Sequence, residues 1–244
     1  MYYNIVQYGQ ILSPDFILIS AVIILGACLQ SLAGFGLGLL SAPLVYFLNP
    51  ELIPGPMVLL ALLNTAILAQ KYRKDIDISK TKISLLGGTL GVILAAFVVK
   101  EIDARQFQII FGILILGAVL ASILGITPKI NKLSNLIASF VSGIMGTITS
   151  AGGAPMGILY QSEDKDSIKA NLSAFFVYIN LIAIIALSVM GTVGRQDFLY
   201  FIQFIPSIFI GLFLAKRLNS KINKTMMRIL VLSVAAVSGV ILIF

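Results

Sequence analysis

Apolar residues run along this chain in long blocks separated by short polar loops, and six blocks are long enough to cross roughly 30 Å of bilayer hydrocarbon as helices of about 20 residues. They cover approximately 54–71, 83–100, 106–125, 169–191, 197–216 and 225–244. Two further apolar regions, 15–48 and 133–161, are interrupted near their middles. The first breaks at Ala33-Gly34-Phe35-Gly36-Leu37-Gly38 with Pro43 beyond it, the second at Ser150-Ala151-Gly152-Gly153-Ala154-Pro155. Each reads as two shorter helical arms joined by a glycine-rich kink, entering and leaving on one face of the membrane. The pattern predicts an all-α polytopic membrane protein in two halves, 1–128 and 129–244, each a broken, re-entrant helical hairpin followed by three transmembrane helices.

Loop charge sets the orientation, because Lys and Arg are retained on the cytoplasmic side. With both interrupted regions returning to their face of entry, loops 71–82, 126–133, 160–169 and 216–228 share one side and hold fourteen of the seventeen basic residues, leaving Lys100, Arg105 and Arg195 on the other. Both termini are therefore expected outside the cytoplasm. Each half makes an odd number of crossings, so the second starts on the opposite side from the first, the inverted-topology arrangement of many transporters. Three short matches accompany it: Ala42-Pro43 with Ala154-Pro155, Asn64 with Asn180, and Gly91-x-x-Leu94-Ala95 with Gly211-x-x-Leu214-Ala215, at spacings drifting from 112 to 116 to 120. No Lys or Arg precedes the first apolar run, so the first segment is expected to remain in the mature protein.

Composition narrows the chemistry. Of 244 residues, 59% are apolar and 11% charged, and the mean hydropathy is +1.03; a soluble domain, with about 25% charged residues, has polar surface that this chain lacks. The absence of histidine excludes a serine–histidine triad, a histidine-ligated haem and a histidine metal site. A single cysteine, Cys28, excludes an internal disulfide. The net charge of +7 follows from topology, since the basic residues sit between or at the ends of apolar runs and form no nucleic-acid face. No cofactor is expected.

The two breaks are the candidate site. A broken helix in hydrocarbon leaves backbone N–H groups without partners, which survives only where the break lines something. The arm after each set of glycines is expected to begin near the midplane, pointing free N–H groups and the positive end of its dipole at the membrane centre. Around the breaks lie Gln30, Ser31, Gly34, Phe35, Gly36, Gly38, Ser41 and Pro43 in the first half, and Thr147, Thr149, Ser150, Gly152, Gly153 and Pro155 in the second, with Asn64 and Asn180 inside full spans. Neutral donors of this kind suit a small anion. A cation pathway would carry intramembrane Asp or Glu, and every acidic residue here lies in a terminus or loop region. Packing competes with each assignment: glycines allow close helix contact, an Asn often bridges neighbouring helices, and Ser or Thr bonds back to its own helix. Similarly, Lys71-Tyr72-Arg73-Lys74 reads as a positive-inside anchor, and Phe175, Phe176 and Tyr178 as packing or lipid-facing residues.

The motifs Gly34-Phe-Gly-Leu-Gly38 with Pro43, and Gly143-x-x-Gly146 with Gly152-Gly153-Ala-Pro155, resemble those of the sulfite exporter TauE/SafE family of membrane permeases, over about residues 15–244. That resemblance implies movement of small sulfur-containing anions, such as sulfite or organosulfonates, across the cell membrane, and points to the same two segments. A permease for another small anion is the alternative; an intramembrane serine hydrolase using Ser150 lacks a base, and a scaffold has no need of two breaks. The expected partners are the anion and the bilayer, with glycine-rich faces also suited to packing against another copy.

Overall fold

The computed structural model describes residues 13–34, 36–125, 128–161, 165–218 and 224–244. These are helical throughout, with no strand among the described residues: α1 (Pro14–Ala33), α2 (Leu37–Leu48), α3 (Gly55–Lys71), α4 (Ile78–Glu101), α5 (Ala104–Ile123), α6 (Lys132–Thr149), α7 (Gly153–Tyr160), α8 (Lys165–Val189), α9 (Arg195–Leu218) and α10 (Lys224–Ile243). Starts are set by recognisable caps. The Ser13 Oγ accepts from the Phe16 N–H ahead of Pro14, and Asp103 with Gln106 and Asn131 with Ser134 form reciprocal capping boxes on α5 and α6.

Polarity is inverted relative to a water-soluble protein. Leu86, Leu90, Ile93 and Phe97 of α4, Ile113 and Leu120 of α5, and Ile202, Phe209 and Phe213 of α9 face outward, while Ser41, Asn64, Thr65, Ser84, Ser139, Ser142 and Thr147 are buried. A multi-pass membrane protein has this arrangement, since lipid solvates the apolar exterior and the interior holds groups that must find partners.

Both interrupted regions break where expected and fold back on themselves. Gly34 ends α1 in the left-handed region (φ 87°), its N–H bonded to the Gln30 carbonyl, and Ser150 ends α6 in the same region (φ 59°), its N–H bonded to the Gly146 carbonyl. Ser41 of α2 donates to the Val22 carbonyl of α1 at 2.9 Å, and Tyr160 at the end of α7 donates to Asn135 near the start of α6 at 2.9 Å.

Arm lengths differ from expectation. The first arms are not short: α1 has 20 residues and α6 has 18, a rise of about 30 and 27 Å, against 12 and 8 residues for the return arms. An apolar run gives total length without the position of the turn inside it. Gly34 is thereby carried to Ile168 and Lys169 near the start of α8, instead of stopping halfway. Among the described residues, five helices are long and apolar enough to cross a membrane, namely α1, α4, α5, α8 and α9. Of the six expected full spans, α3 falls short at 17 residues and α10 contributes a shorter described apolar stretch, Val231–Ile243.

Packing crosses between the halves. Helix α1 lies on α9 and α6 on α4; α3 lies on α9 and α8 on α4; α2 lies on α10 and α7 on α5; and α3–α8 and α5–α10 pair directly. The recurring Gly-x-x-Leu-Ala segments sit at two of these seams. Gly91 of α4 lies against the Phe140 carbonyl of α6, and Gly211 of α9 against the Ile24 carbonyl of α1, so backbones meet where a side chain has no room.

The ends of the bundle are marked by polar contacts. At one, Tyr200 donates to Glu51 and Arg105 to the Ile243 carbonyl, both at 2.6 Å. At the other, the Asp77 N–H donates to Asn171 at 2.8 Å and the Lys71 and Lys169 ammonium groups lie 4.9 and 5.5 Å from the Tyr72 ring centre. The α1–α2 hairpin opens toward the Glu51 end, the α6–α7 hairpin toward the Lys169 end.

Candidate functional site

The two hairpin turns meet. Gly38, in the first turn of α2, lies directly on the Ser150 carbonyl and the Ala151 Cα, and Gly152 lies on the Ser142 carbonyl and on Gly146. Beside this contact is a cavity of about 30 Å³ lined by Gln30, Gly36 and Gly38, by Ser142, Gly146, Ser150, Gly152 and Gly153, and by Ala61, Phe176, Ile179 and Asn180. A water needs about 10–15 Å³ of such space, so the cavity has room for a few non-hydrogen atoms.

Backbone supplies much of the lining. The starts of α2 and α7 both face the cavity, and neither has a side-chain cap, unlike those of α1, α5 and α6. First-turn N–H groups have no intrahelical acceptor, and in both hairpins the first turn of the return arm borders the cavity. None of the lining residues is charged. The Gln30 and Asn180 side chains, both buried, have no hydrogen-bond partner among the described residues, leaving two amides for a guest. Hydroxyls are mostly committed: Ser142 donates to the Gly152 carbonyl, tying α6 to the start of α7, and Ser150 donates to the Pro54 carbonyl at 3.2 Å.

Of the residues expected from sequence, the cavity gathers Gln30, Gly36, Gly38, Ser150, Gly152, Gly153 and Asn180. The others lie elsewhere. Ser31 is buried beside the cavity residue Gln30 without lining the cavity, and Gly34 packs on Ile168 and Lys169. Pro43 lies inside α2, past the break, and Pro155 in the first turn of α7, where its missing N–H costs no intrahelical bond. Thr149 donates to the Met145 carbonyl at 2.7 Å and accepts from the Ala151 N–H at 3.1 Å, holding the turn's shape. Asn64 and Thr147 are fully buried, with no partner among the described residues for any of their side-chain polar atoms. Phe35 lies outside the described residues.

Sequence reasoning passed over Ala61, Ser142, Gly146, Phe176 and Ile179 as cavity residues. Helical spacing carries most of the missing signal. Ser142, Gly146 and Ser150 recur at i, i+4, i+8 on α6, and Phe176, Ile179 and Asn180 share one face of α8. Phe176 also packs edge-on against Phe175, with ring centres 5.1 Å apart, and Tyr178 hydrogen-bonds Thr89 at 3.1 Å.

No curated protein and no solved structure matches the chain. A family model does, from residue 18 to residue 242, which takes in every helix just described except the last residue of α10 and the first four of α1. Two glycine-turned hairpins buried among long apolar helices are thus set in a chain that belongs to the sulfite exporter TauE/SafE family.

Proposed function

We propose that this permease carries a small sulfur-containing oxyanion, sulfite or an organosulfonate, by alternating access, with the anion held between the two hairpin turns. The observation that carries the reading is the convergence of two uncapped helix starts, with the Gln30 and Asn180 amides, on one small uncharged cavity. Backbone and amide donors satisfy an anion without the desolvation cost of a buried Lys or Arg. Phe176, Ile179 and Asn180 lie near the middle of α8 and Ala61 within α3, which supports a location deep in the bilayer.

The halves act as inverted repeats in this reading. Support comes from the matched pairing of α1–α9 with α6–α4, α3–α9 with α8–α4, and α2–α10 with α7–α5, and from hairpins that open toward opposite ends. Rocking of one half against the other then exposes the cavity alternately. The Lys169 end faces the cytoplasm and both termini face away from it, in line with the distribution of Lys and Arg. A reporter enzyme active only in the cytoplasm, fused after Phe244, is expected to be silent; activity would reverse the orientation.

Transport is a uniport in this reading, the alternative being a proton carried by the substrate itself. No carboxylate or histidine lines the cavity to relay a proton, and an inside-negative potential favours anion exit by about 2.3 kcal/mol per charge per 100 mV. Vesicles carrying the purified protein are expected to release sulfite faster as the potential becomes more negative inside, with no response to a pH gradient at clamped potential. Absence of flux for sulfite and for simple organosulfonates would overturn the assignment. A serine hydrolase is disfavoured because the Ser150 hydroxyl is spent on the Pro54 carbonyl and the chain has no histidine to serve as its base.

A further inference from the structure

Equivalent positions around the turns are 116 residues apart: Gly34 and Ser150 both end their helices in the left-handed region. The same step pairs Gln30 with Gly146 and Gly36 with Gly152, and all four line the cavity. It also pairs Asn64 with Asn180, but here the match fails, because only Asn180 lines it. The cavity therefore leans toward the second half. Asn64 is 0% exposed, and neither its Nδ2 nor its Oδ1 has a partner among the described residues. A side chain kept only for packing has no use for an amide that loses its water and gains nothing, and leucine would fill nearly the same shape without that penalty. Asn64 is also close at hand, one helical turn along α3 from the cavity residue Ala61.

We propose that Asn64 is the anion-binding amide of the opposite-facing state. As the halves exchange conformations, the cavity shifts toward the first half, Asn64 opens onto it, and Asn180 is covered and takes the unpartnered position. The inference rests on the transport reading above and adds to it which residue holds the anion on each side of the cycle.

The test uses full-length protein with Cys28→Ser in sealed vesicles, carrying either Asn64→Cys or Asn180→Cys and treated from one face at a time with a membrane-impermeant sulfonated thiosulfonate. Position 180 is expected to react from one face and position 64 from the other, with methanesulfonate, which does not attack the reagent or the disulfide it forms, slowing both. Reaction of both from the same face, or no reaction at 64 in vesicles that transport sulfite, overturns the proposal. Asn64→Leu gives a second measurement that needs no cysteine. Its thermal midpoint is expected to be unchanged or higher while sulfite flux falls at least about tenfold, the size expected for losing one hydrogen bond to a charged ligand. A lower midpoint with flux retained would mark Asn64 as structural. Opposite-face labelling without flux of any sulfur oxyanion would defeat the substrate assignment and leave the two-state role standing; normal flux in Asn64→Leu would do the reverse.

Discussion

Alanine at position 38 is expected to abolish sulfite flux. The added methyl group would land on the Ser150 carbonyl and 2.6 Å from the Ala151 Cα, and all of these atoms are backbone, so no side chain can swing away. Relief requires the start of α2 to back off from the α6–α7 turn, which pulls apart the two sets of N–H groups that define the cavity. Overpacking of this kind costs about 1–3 kcal/mol, which in a chain of this size lowers the thermal midpoint by roughly 2–12 °C. The functional loss is expected to exceed the stability loss, because in the proposed mechanism the anion is held between the two turns that the substitution forces apart. Gly117→Ala on α5 is the matched control. Nothing lies within 4 Å of a methyl group there, and alanine is the better helix former, so flux and midpoint should hold. Full flux in Gly38→Ala would mean that the hairpin contact is not the transport site.

The largest effect on folding is expected at the glycine seams between the halves. Gly91→Val puts a branched side chain into the Phe140 carbonyl and within about 3 Å of the Ile144 nitrogen. The neighbouring contacts leave no slack: Gly87 rests on the Leu136 carbonyl and Ser139, and Gly143 on the Gly88 carbonyl. Helices α4 and α6 cannot separate without uncovering the buried Ser84, Asn135 and Ser139 and breaking the hydrogen bond that Ser84 donates to Asn135 across the interface. Gly211→Val acts in the same way against the Ile24 carbonyl and Ala27. Both variants are expected to lose the monodisperse peak in detergent size exclusion, whereas Gly194→Val, in open space, should elute as the unsubstituted protein does.

Much of the fold was legible because hydrocarbon imposes simple rules. Block length marked the helices, and Ser150-Ala-Gly-Gly-Ala-Pro marked a break, since adjacent glycines followed by proline cannot continue a buried helix. Pro43, beyond the first break, sits inside α2, where a helix of 12 residues in a protein interior tolerates one missing bond. Local sequence could not show that Gly34 reaches as far as Lys169, since the turn position depends on how α1 packs on α9. The site was half legible for the same reason. Gln30 and Asn180 announce themselves as polar residues in apolar surroundings, while Ala61 and Ile179 have no chemistry to flag them and enter the cavity only through three-dimensional packing. Thr149 shows the converse, a polar residue beside the break whose hydroxyl is consumed in shaping it.

The interlocked pairing of the halves also governs biogenesis. Helix α1 leaves the ribosome about 160 residues ahead of α9, the helix it is built to lie against, and at 5–20 residues per second that is a wait of roughly ten to thirty seconds. During that interval Gln30, Ser31 and the bare start of α2 have no finished interior to enter. The nascent first hairpin must then be sheltered by the insertion machinery or linger at the bilayer surface until its companion is synthesised.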